Sequence, residues 1–203
     1  MPATPASSSP RLPAQARRDQ LLDVTAEIVV EQGFQAASIQ AVARAAGISR
    51  PIVYEHFGDL PGLLEALVKR EMKRAHEQVT ATALENLSEG DPTKLMLNSL
   101  RAYLSAVEQN PNTWRLVLMP PSGAPESLRK SILQGQAAVL DSLTQAVSPG
   151  FKPGDTATDP DLTARVLSAI ADEYARLVLT DPDRFSPERL LAHARWFLEQ
   201  RRS

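Results

Sequence analysis

Along most of this 203-residue chain, apolar side chains recur at separations of three and four rather than alternately. That period places them on one face of an α-helix. Leu21 and Leu22 open an amphipathic helix that ends at Glu31-Gln32-Gly33-Phe34. Ile39, Val42 and Ala43 mark a second, and Leu60, Leu63, Leu64 and Leu67 a later one. Further along come Leu97, Leu100, Leu104 and Val107, then Leu128, Ile132, Val139, Leu143 and Val147. Leu167, Ile170, Tyr174 and Leu177, and finally Leu190, Ala194 and Phe197, complete the series. No stretch alternates as a half-buried strand does, and no internal repeat is visible. The pattern predicts an all-α fold of about nine helices, three in an N-terminal head and six behind it.

The breaks between these runs carry stop and start signals. Asp91-Pro92, Asn110-Pro111, Asp159-Pro160 and Ser186-Pro187 each set a capping residue before a proline. A residue before proline is pushed out of the helical region, as an N-cap must be, and proline suits the first helical position. Residues 1–16, rich in Pro, Ser and Ala, are expected to be a disordered arm. The segment from Ser148 to Pro160 is the one long loop expected.

Residues 38–57 are the most specific stretch. Ser38 is a candidate N-cap. Gly47 stands where the first short helix must stop, because glycine enters the left-handed region at little cost. Ile48 fills the turn, Ser49 caps the next helix, and Pro51 lies in its first turn. Val53-Tyr54-Glu55-His56-Phe57 closes that helix, and Asp59 caps the one after it. This is a helix-turn-helix, whose second helix sets its N-terminal residues in a DNA major groove. Val42, Ala46, Ile48, Val53 and Phe57 are expected in the core. Ser49, Arg50, Pro51 and Ile52 are expected at base edges, with Arg50 able to donate two hydrogen bonds to a guanine and Ile52 able to touch a thymine methyl. Gln40 and Arg44 on the preceding helix face the same groove or its backbone.

Charge refines this picture. The chain carries a formal net charge of −2, so any DNA-binding charge must be local rather than global. Asp19, Asp23, Glu27 and Glu31, spaced by four, line one face of the first helix. Like charges at that spacing repel by a few tenths of a kcal/mol each, roughly. They are expected to be solvated or partly paired with Lys69, Arg70, Lys73 and Arg74, and to face away from DNA. Arg11, Arg17, Arg18, Arg44 and Arg50 are then left for phosphates.

The run from Leu21 to Leu64 resembles the DNA-binding head of the tetracycline-repressor (TetR) family of bacterial transcription regulators. Glycine before an aromatic at Gly33-Phe34, the capping Ser38, Ala46-Gly47-Ile48-Ser49, and Tyr54 three residues before Phe57 all fall at that family's spacing. The resemblance covers about a fifth of the chain. It implies a helix-turn-helix domain over 17–60 and a helical effector-binding and dimerisation domain over 61–203. It implies that Tyr54 and His56 reach phosphates. It implies a dimeric regulator, expected to be a repressor, on a palindromic DNA operator, released by a small molecule. One departure stands out. Leu60 occupies the place where the family usually has a lysine next to the phosphate backbone. That contact is lost unless the N–H groups at the start of the helix replace it.

The resemblance also implies a pocket behind the head. Its candidate lining is Met96, Leu100, Tyr103, Trp114, Leu118, Met119 and Tyr174, with Arg115, Gln134, Gln136 and Asp172 as polar groups that orient a ligand. Methionines and aromatics make adaptable walls, and an apolar or amphipathic effector below roughly 500 Å³ is expected. The last two helices, about 160–180 and 187–201, are expected to form a four-helix bundle with a second copy. The faces involved are Leu162, Val166, Ile170 and Leu177 on one helix and Leu191, Ala194, Phe197 and Leu198 on the other.

Other classes find little support. The chain has no cysteine, and its three histidines fall on three separate expected helices without metal-ligand spacing. Ser122-Gly123 lacks the elbow of a hydrolase, and no Gly-rich phosphate loop exists. An enzyme is not expected, nor a cofactor or metal. A non-specific structural DNA-binding protein is the alternative; the large non-basic helical region argues against it. No apolar run approaches the length of a membrane span, and the first ten residues lack the apolar core of a signal peptide, so a cytoplasmic protein is expected.

Overall fold

A computed structural model describes residues 12–85, 92–148 and 159–200. Among these residues there are nine α-helices and no strand. They are α1 (Ala14–Gln32), α2 (Ile39–Ala45), α3 (Arg50–Phe57), α4 (Leu60–Glu85), α5 (Pro92–Gln109), α6 (Pro111–Leu118), α7 (Glu126–Val147), α8 (Pro160–Thr180) and α9 (Pro187–Gln200). A single 3₁₀ turn, Phe34–Ala36, links α1 to α2. The all-α expectation holds.

Local chemistry explains most boundaries. The Ser38 hydroxyl accepts from the Ala41 N–H at 3.1 Å, and Asp159 accepts from the Leu162 N–H at 3.1 Å. Asp59 accepts from the Gly62 N–H at 2.7 Å. Ser49 stands at the N-cap of α3 in extended conformation but makes no side-chain cap bond. Asn110 precedes α6 yet turns its amide back to the Ala106 carbonyl. Asp91 and most of the 148–160 loop lie outside the described residues.

The start of the chain departs from expectation. Helix α1 begins at Ala14, seven residues before Leu21 and inside the arm expected over 1–16. Alanine and glutamine favour helix, and Pro13 just before them already has its φ fixed. The Pro13 carbonyl accepts from the Arg17 N–H at 2.9 Å. Residues 1–11 lie outside the described residues.

Two hydrophobic cores organise the chain. The first joins Leu21, Leu22 and Val29 of α1, Phe34, Val42 of α2, Val53 of α3, and Leu63 and Leu67 of α4. Leu116 of α6 and Leu128 and Ile132 of α7 complete it. The second gathers Leu97, Leu104 and Val107 of α5, Trp114 of α6, Tyr174, Ala175 and Val178 of α8, and Leu190 and Ala194 of α9. A boundary at residue 60 therefore falls at the first turn of α4, and the head core draws side chains from well beyond it. Helix α6 serves both cores, through Leu116 on one side and Trp114 on the other.

A buried polar cluster sits at this junction. Glu71 of α4 is 1% exposed. It accepts from Arg70 at 2.7 Å, from Arg74 at 3.3 Å and from the Thr113 hydroxyl of α6. Arg70 also pairs with Asp23 of α1 at 2.8 Å and donates to the Asp19 carbonyl. The acidic stripe of α1 is thus paired through Asp23 by Arg70 and Arg74, two of the four cations expected to do so. Lys73 pairs instead with Glu77 of its own helix.

Candidate nucleic-acid interface

Helices α2 and α3 meet at a turn that glycine permits. Gly47 has φ +67°, and its neighbour Ile48 donates to the Ala43 carbonyl at 2.9 Å, which closes the end of α2. Ile39, Val42, Ala43 and Val53 are buried, and Ala46, Ile48 and Phe57 pack half-buried against the same core. All five residues expected in the core are there. With that face inward, the opposite face opens to solvent. Gln40 and Arg44 of α2 and Ser49, Arg50, Pro51 and Tyr54 of α3 are exposed, while Ile52 and His56 are half-buried. Tyr54 is 50% exposed on this face.

Two of the expected phosphate cations are placed differently. Arg18 lies against the C-terminal end of α3. Its guanidinium donates to the His56 carbonyl and stacks on the Phe57 ring, 4.3 Å from the ring centre. Arg17 donates to Gln20 on its own helix. Arg44 and Arg50 remain on the exposed face. At the start of α4, Leu60 turns onto the head core. One of the N–H groups expected to stand in for the missing lysine, that of Gly62, is taken by Asp59. Sequence reasoning passed over Gly62. A Cβ there would meet the Phe57 carbonyl oxygen at 2.3 Å, so only glycine lets α4 start this close to α3.

The family model of bacterial regulatory proteins, tetR family, matches residues 21–67. Residues 21–67 are thus a tetR-family segment. The HTH-type transcriptional activator FasR of Mycolicibacterium smegmatis is 30% identical over 107 residues, which are 53% of this chain and 48% of FasR. The chain thus spans about half the length of that relative. A TetR-like transcriptional regulator from Rhodococcus sp. RHA1 superposes with a TM-score of 0.73 at 20% identity, covering 91% of this chain and 94% of the other. FadR of Bacillus subtilis, solved in complex with stearoyl-CoA, superposes with a TM-score of 0.66 at 16% identity, covering 89% and 96%. These similarities establish the shared fold across both cores. No helix among the described residues is long and apolar enough to cross a membrane.

Behind this tetR-family segment, the residues expected to line a pocket gather in the second core. Trp114 and Tyr174 are buried, Leu100, Tyr103, Leu118 and Met119 pack half-buried around them, and Met96 is half-buried on α5. The Tyr103 ring meets Trp114 edge-on at 4.9 Å, and its hydroxyl donates to Asp172 at 3.1 Å. Burial first, then the nearby Asp172 charge, pushes the Tyr103 hydroxyl far above its usual range. Burial likewise raises the Asp172 carboxyl, against the opposing effects of the Tyr103 hydrogen bond and Arg176. The Trp114 N–H donates to Gln78 at 2.9 Å, a partner that sequence spacing does not reveal. Arg115 donates to the Leu179 carbonyl, and Gln134 and Gln136 point to solvent on α7, so of the four expected orienting groups Asp172 alone joins the aromatic cluster.

Two open grooves lie elsewhere. One, of about 510 Å³, runs between α5 and α9 and is lined by Leu97, Arg101, Leu191 and Arg195 among others. The other, of about 280 Å³, lies over the junction cluster at Asp23, Arg70, Glu71 and Thr113. None of the seven expected pocket residues lines either groove.

The residues expected at a dimer interface divide in two. Leu162 and Val166 of α8 are 58% and 49% exposed, and Phe197 of α9 is also exposed. Trp196, which the helical spacing did not single out, is exposed beside it. Ala194, by contrast, is buried in the second core of the single chain, and Ile170, Leu177, Leu191 and Leu198 pack partly against that core. Ala194 is therefore monomer core, because the α9 face that carries it turns onto α5.

Proposed function

We propose that the chain is a dimeric transcriptional repressor whose α3 reads a palindromic operator and whose body releases it on binding a small apolar or amphipathic molecule. The head over 17–60 binds DNA, and the body over 61–203 carries the effector and the two-fold contact. The observation that carries this reading is the exposed Arg50–Tyr54 face of α3, set over a buried Val53 within the tetR-family segment. Arg50 and Ile52 contact bases, Ser49 and Pro51 approach them, Gln40 and Arg44 face the same groove or its backbone, and Tyr54 and His56 contact phosphates. The aromatic cluster around Tyr103 and Trp114 supports an apolar effector, as does the stearoyl-CoA bound by B. subtilis FadR. Helix α6 supports the coupling, since a ligand that moves Trp114 also moves Leu116 in the head core. A ligand shifts the equilibrium only if it favours one head spacing over the other. The exposed Leu162, Val166 and Phe197 support a two-fold bundle of α8 and α9.

Selection of bound duplexes from a random library tests the DNA reading. The expected product is a palindrome whose half-sites lie one helical turn apart, roughly 34–36 Å. Arg50→Ala relaxes its sequence preference by about 1–3 kcal/mol. Tyr54→Ala weakens all sequences alike, because phosphate contacts carry no base information. If both variants bind as the parent does, α3 is not the reading element. Sedimentation at micromolar concentration tests the dimer, and a monomer-sized particle rejects it. For the effector, long-chain acyl compounds and other hydrophobic molecules are titrated into the operator complex; unchanged affinity throughout rejects release by such ligands.

A further inference from the structure

Helix α3 is two turns long, and Val53 is its one fully buried side chain. So short a helix has little stability of its own, so its direction is set by what touches it. Val53 gives one anchor near its middle. A second is needed to stop the helix from pivoting, because Arg50 and Phe57 are separated by most of its length. A pivot about the C-terminal end acts on Arg50 over a lever on the order of 10 Å. A tilt of about 10° at that length displaces a side chain by more than an ångström, enough to break a bidentate contact to a base edge.

Arg18 supplies that second anchor. It comes from α1, 38 positions earlier in the chain. Its guanidinium donates to the His56 carbonyl, one of the last four carbonyls of α3, which lack partners within the helix. The same group lies 4.3 Å from the centre of the Phe57 ring, within cation–π range. A cation at a helix C-terminus also opposes the negative end of the helix dipole. The three contacts act on one end of one short helix, and they turn the Arg18 charge inward, beside Phe57, rather than onto the exposed face with Arg44 and Arg50.

We infer that Arg18 is a positioning residue for sequence readout, clamping the C-terminal end of the recognition helix through the His56 carbonyl and the Phe57 ring. The role rests on the DNA-binding function proposed above, and it differs from the phosphate contact that its charge and place in the sequence suggest.

Salt dependence separates the two roles. Each phosphate contact adds about one unit to the slope of log affinity against log salt. Parent, Arg18→Met, Arg18→Lys and Phe57→Leu proteins are titrated with the selected operator and with a random duplex, between about 50 and 200 mM salt. For Arg18→Met the operator-over-random ratio is expected to fall about tenfold or more, with affinity for random duplex and both salt slopes unchanged. Arg18→Lys keeps the charge without the stacked planar group, and is expected to lose specificity as well. Phe57→Leu keeps an apolar side chain, and is expected to resemble Arg18→Met without adding to it in the double variant. Equal loss on both duplexes with a slope lower by about one, restored by Arg18→Lys, makes Arg18 a phosphate contact and overturns the proposal. Unchanged specificity in folded Arg18→Met also overturns it. Amide exchange of the α3 segment is followed in the same proteins without DNA. Faster exchange there in Arg18→Met, relative to α2, is expected even if the parent prefers no duplex; that latter result sinks the DNA reading, while equal exchange sinks the clamp. If Arg18→Met fails to fold, Arg18→Lys and Phe57→Leu carry the test.

Discussion

The core under the recognition helix is lined by aliphatic side chains around Phe34 and Phe57, and its buried Thr25 hydroxyl is satisfied within its own helix by the Leu21 carbonyl. The core behind it places Tyr103, Trp114 and Tyr174 together with Asp172, Gln78 and His193, which hydrogen-bond to them. The difference is one of mechanics. Aliphatic groups at crystal-like density fix their neighbours in place, which suits a surface that must hold Arg50 to within an ångström or so of a base. Aromatic and polar groups linked by hydrogen bonds have more than one way to satisfy themselves, and a ligand can supply an alternative partner. Glu71, Thr113, Arg70 and Asp23 join α4, α6 and α1 at the junction of the two cores.

The largest effect is expected from cutting that junction. Glu71→Ala leaves the largely buried Arg70 without one of its two carboxylate partners, at a cost of about 3–5 kcal/mol. Chemical denaturation reads the loss. A cost below about 1 kcal/mol shows the cluster to be well solvated, and the two cores then meet through apolar contacts alone.

Next in size is truncation within each core. Leu63→Ala in the head is expected to cost about 2–5 kcal/mol, because its fully buried site cannot collapse. Leu100→Ala, half-buried at the rim of the body core, is expected to cost less. Equal losses by denaturant titration dissolve the contrast between a stiff core and an adaptable one.

The smallest effects concern the polar groups of the body. Tyr103→Phe removes the hydroxyl from Asp172 and is expected to cost about 1 kcal/mol. The raised carboxyl of Asp172 adds a pH signature. A group that holds its proton more tightly folded than unfolded contributes stability that is fully present below its unfolded pKa. That contribution is lost as pH rises through the folded value, so the parent loses it above the ordinary carboxylate range. Asp172→Asn is expected to flatten this decline in melting temperature above the ordinary carboxylate range. An unchanged profile places Asp172 in solvent and breaks the comparison at its polar end.

Much of the head was legible because its signals act within one helical turn. Ser38 caps α2 through an N–H three residues away, and Gly47 ends it through its own φ. The apolar spacing of Val42 and Val53 assigns the inward face, and with it the exposure of Arg44, Arg50 and Tyr54. Arg18 was legible only as a positive charge. Its partner lies 38 positions away, and nothing in the spacing of residues 14–20 says whether the side chain meets a phosphate or a carbonyl. The body was harder for the same reason. An amphipathic helix announces a buried face without naming what buries it, and so Ala194 and Phe197 looked alike although one is buried and the other exposed.

The sequence by itself determined the helices, several of their caps and the helix-turn-helix, since periodicity, capping and glycine conformation act between residues at most about four apart. Only the tertiary structure decided that α6 and α7 complete the head core and that Glu71 lies buried between Arg70, Arg74 and Thr113. It alone turned Arg18 onto the end of α3 and left Leu162, Val166, Trp196 and Phe197 uncovered. Those outcomes depend on the angles and distances at which whole helices pack, which many side chains set jointly and no local pattern encodes.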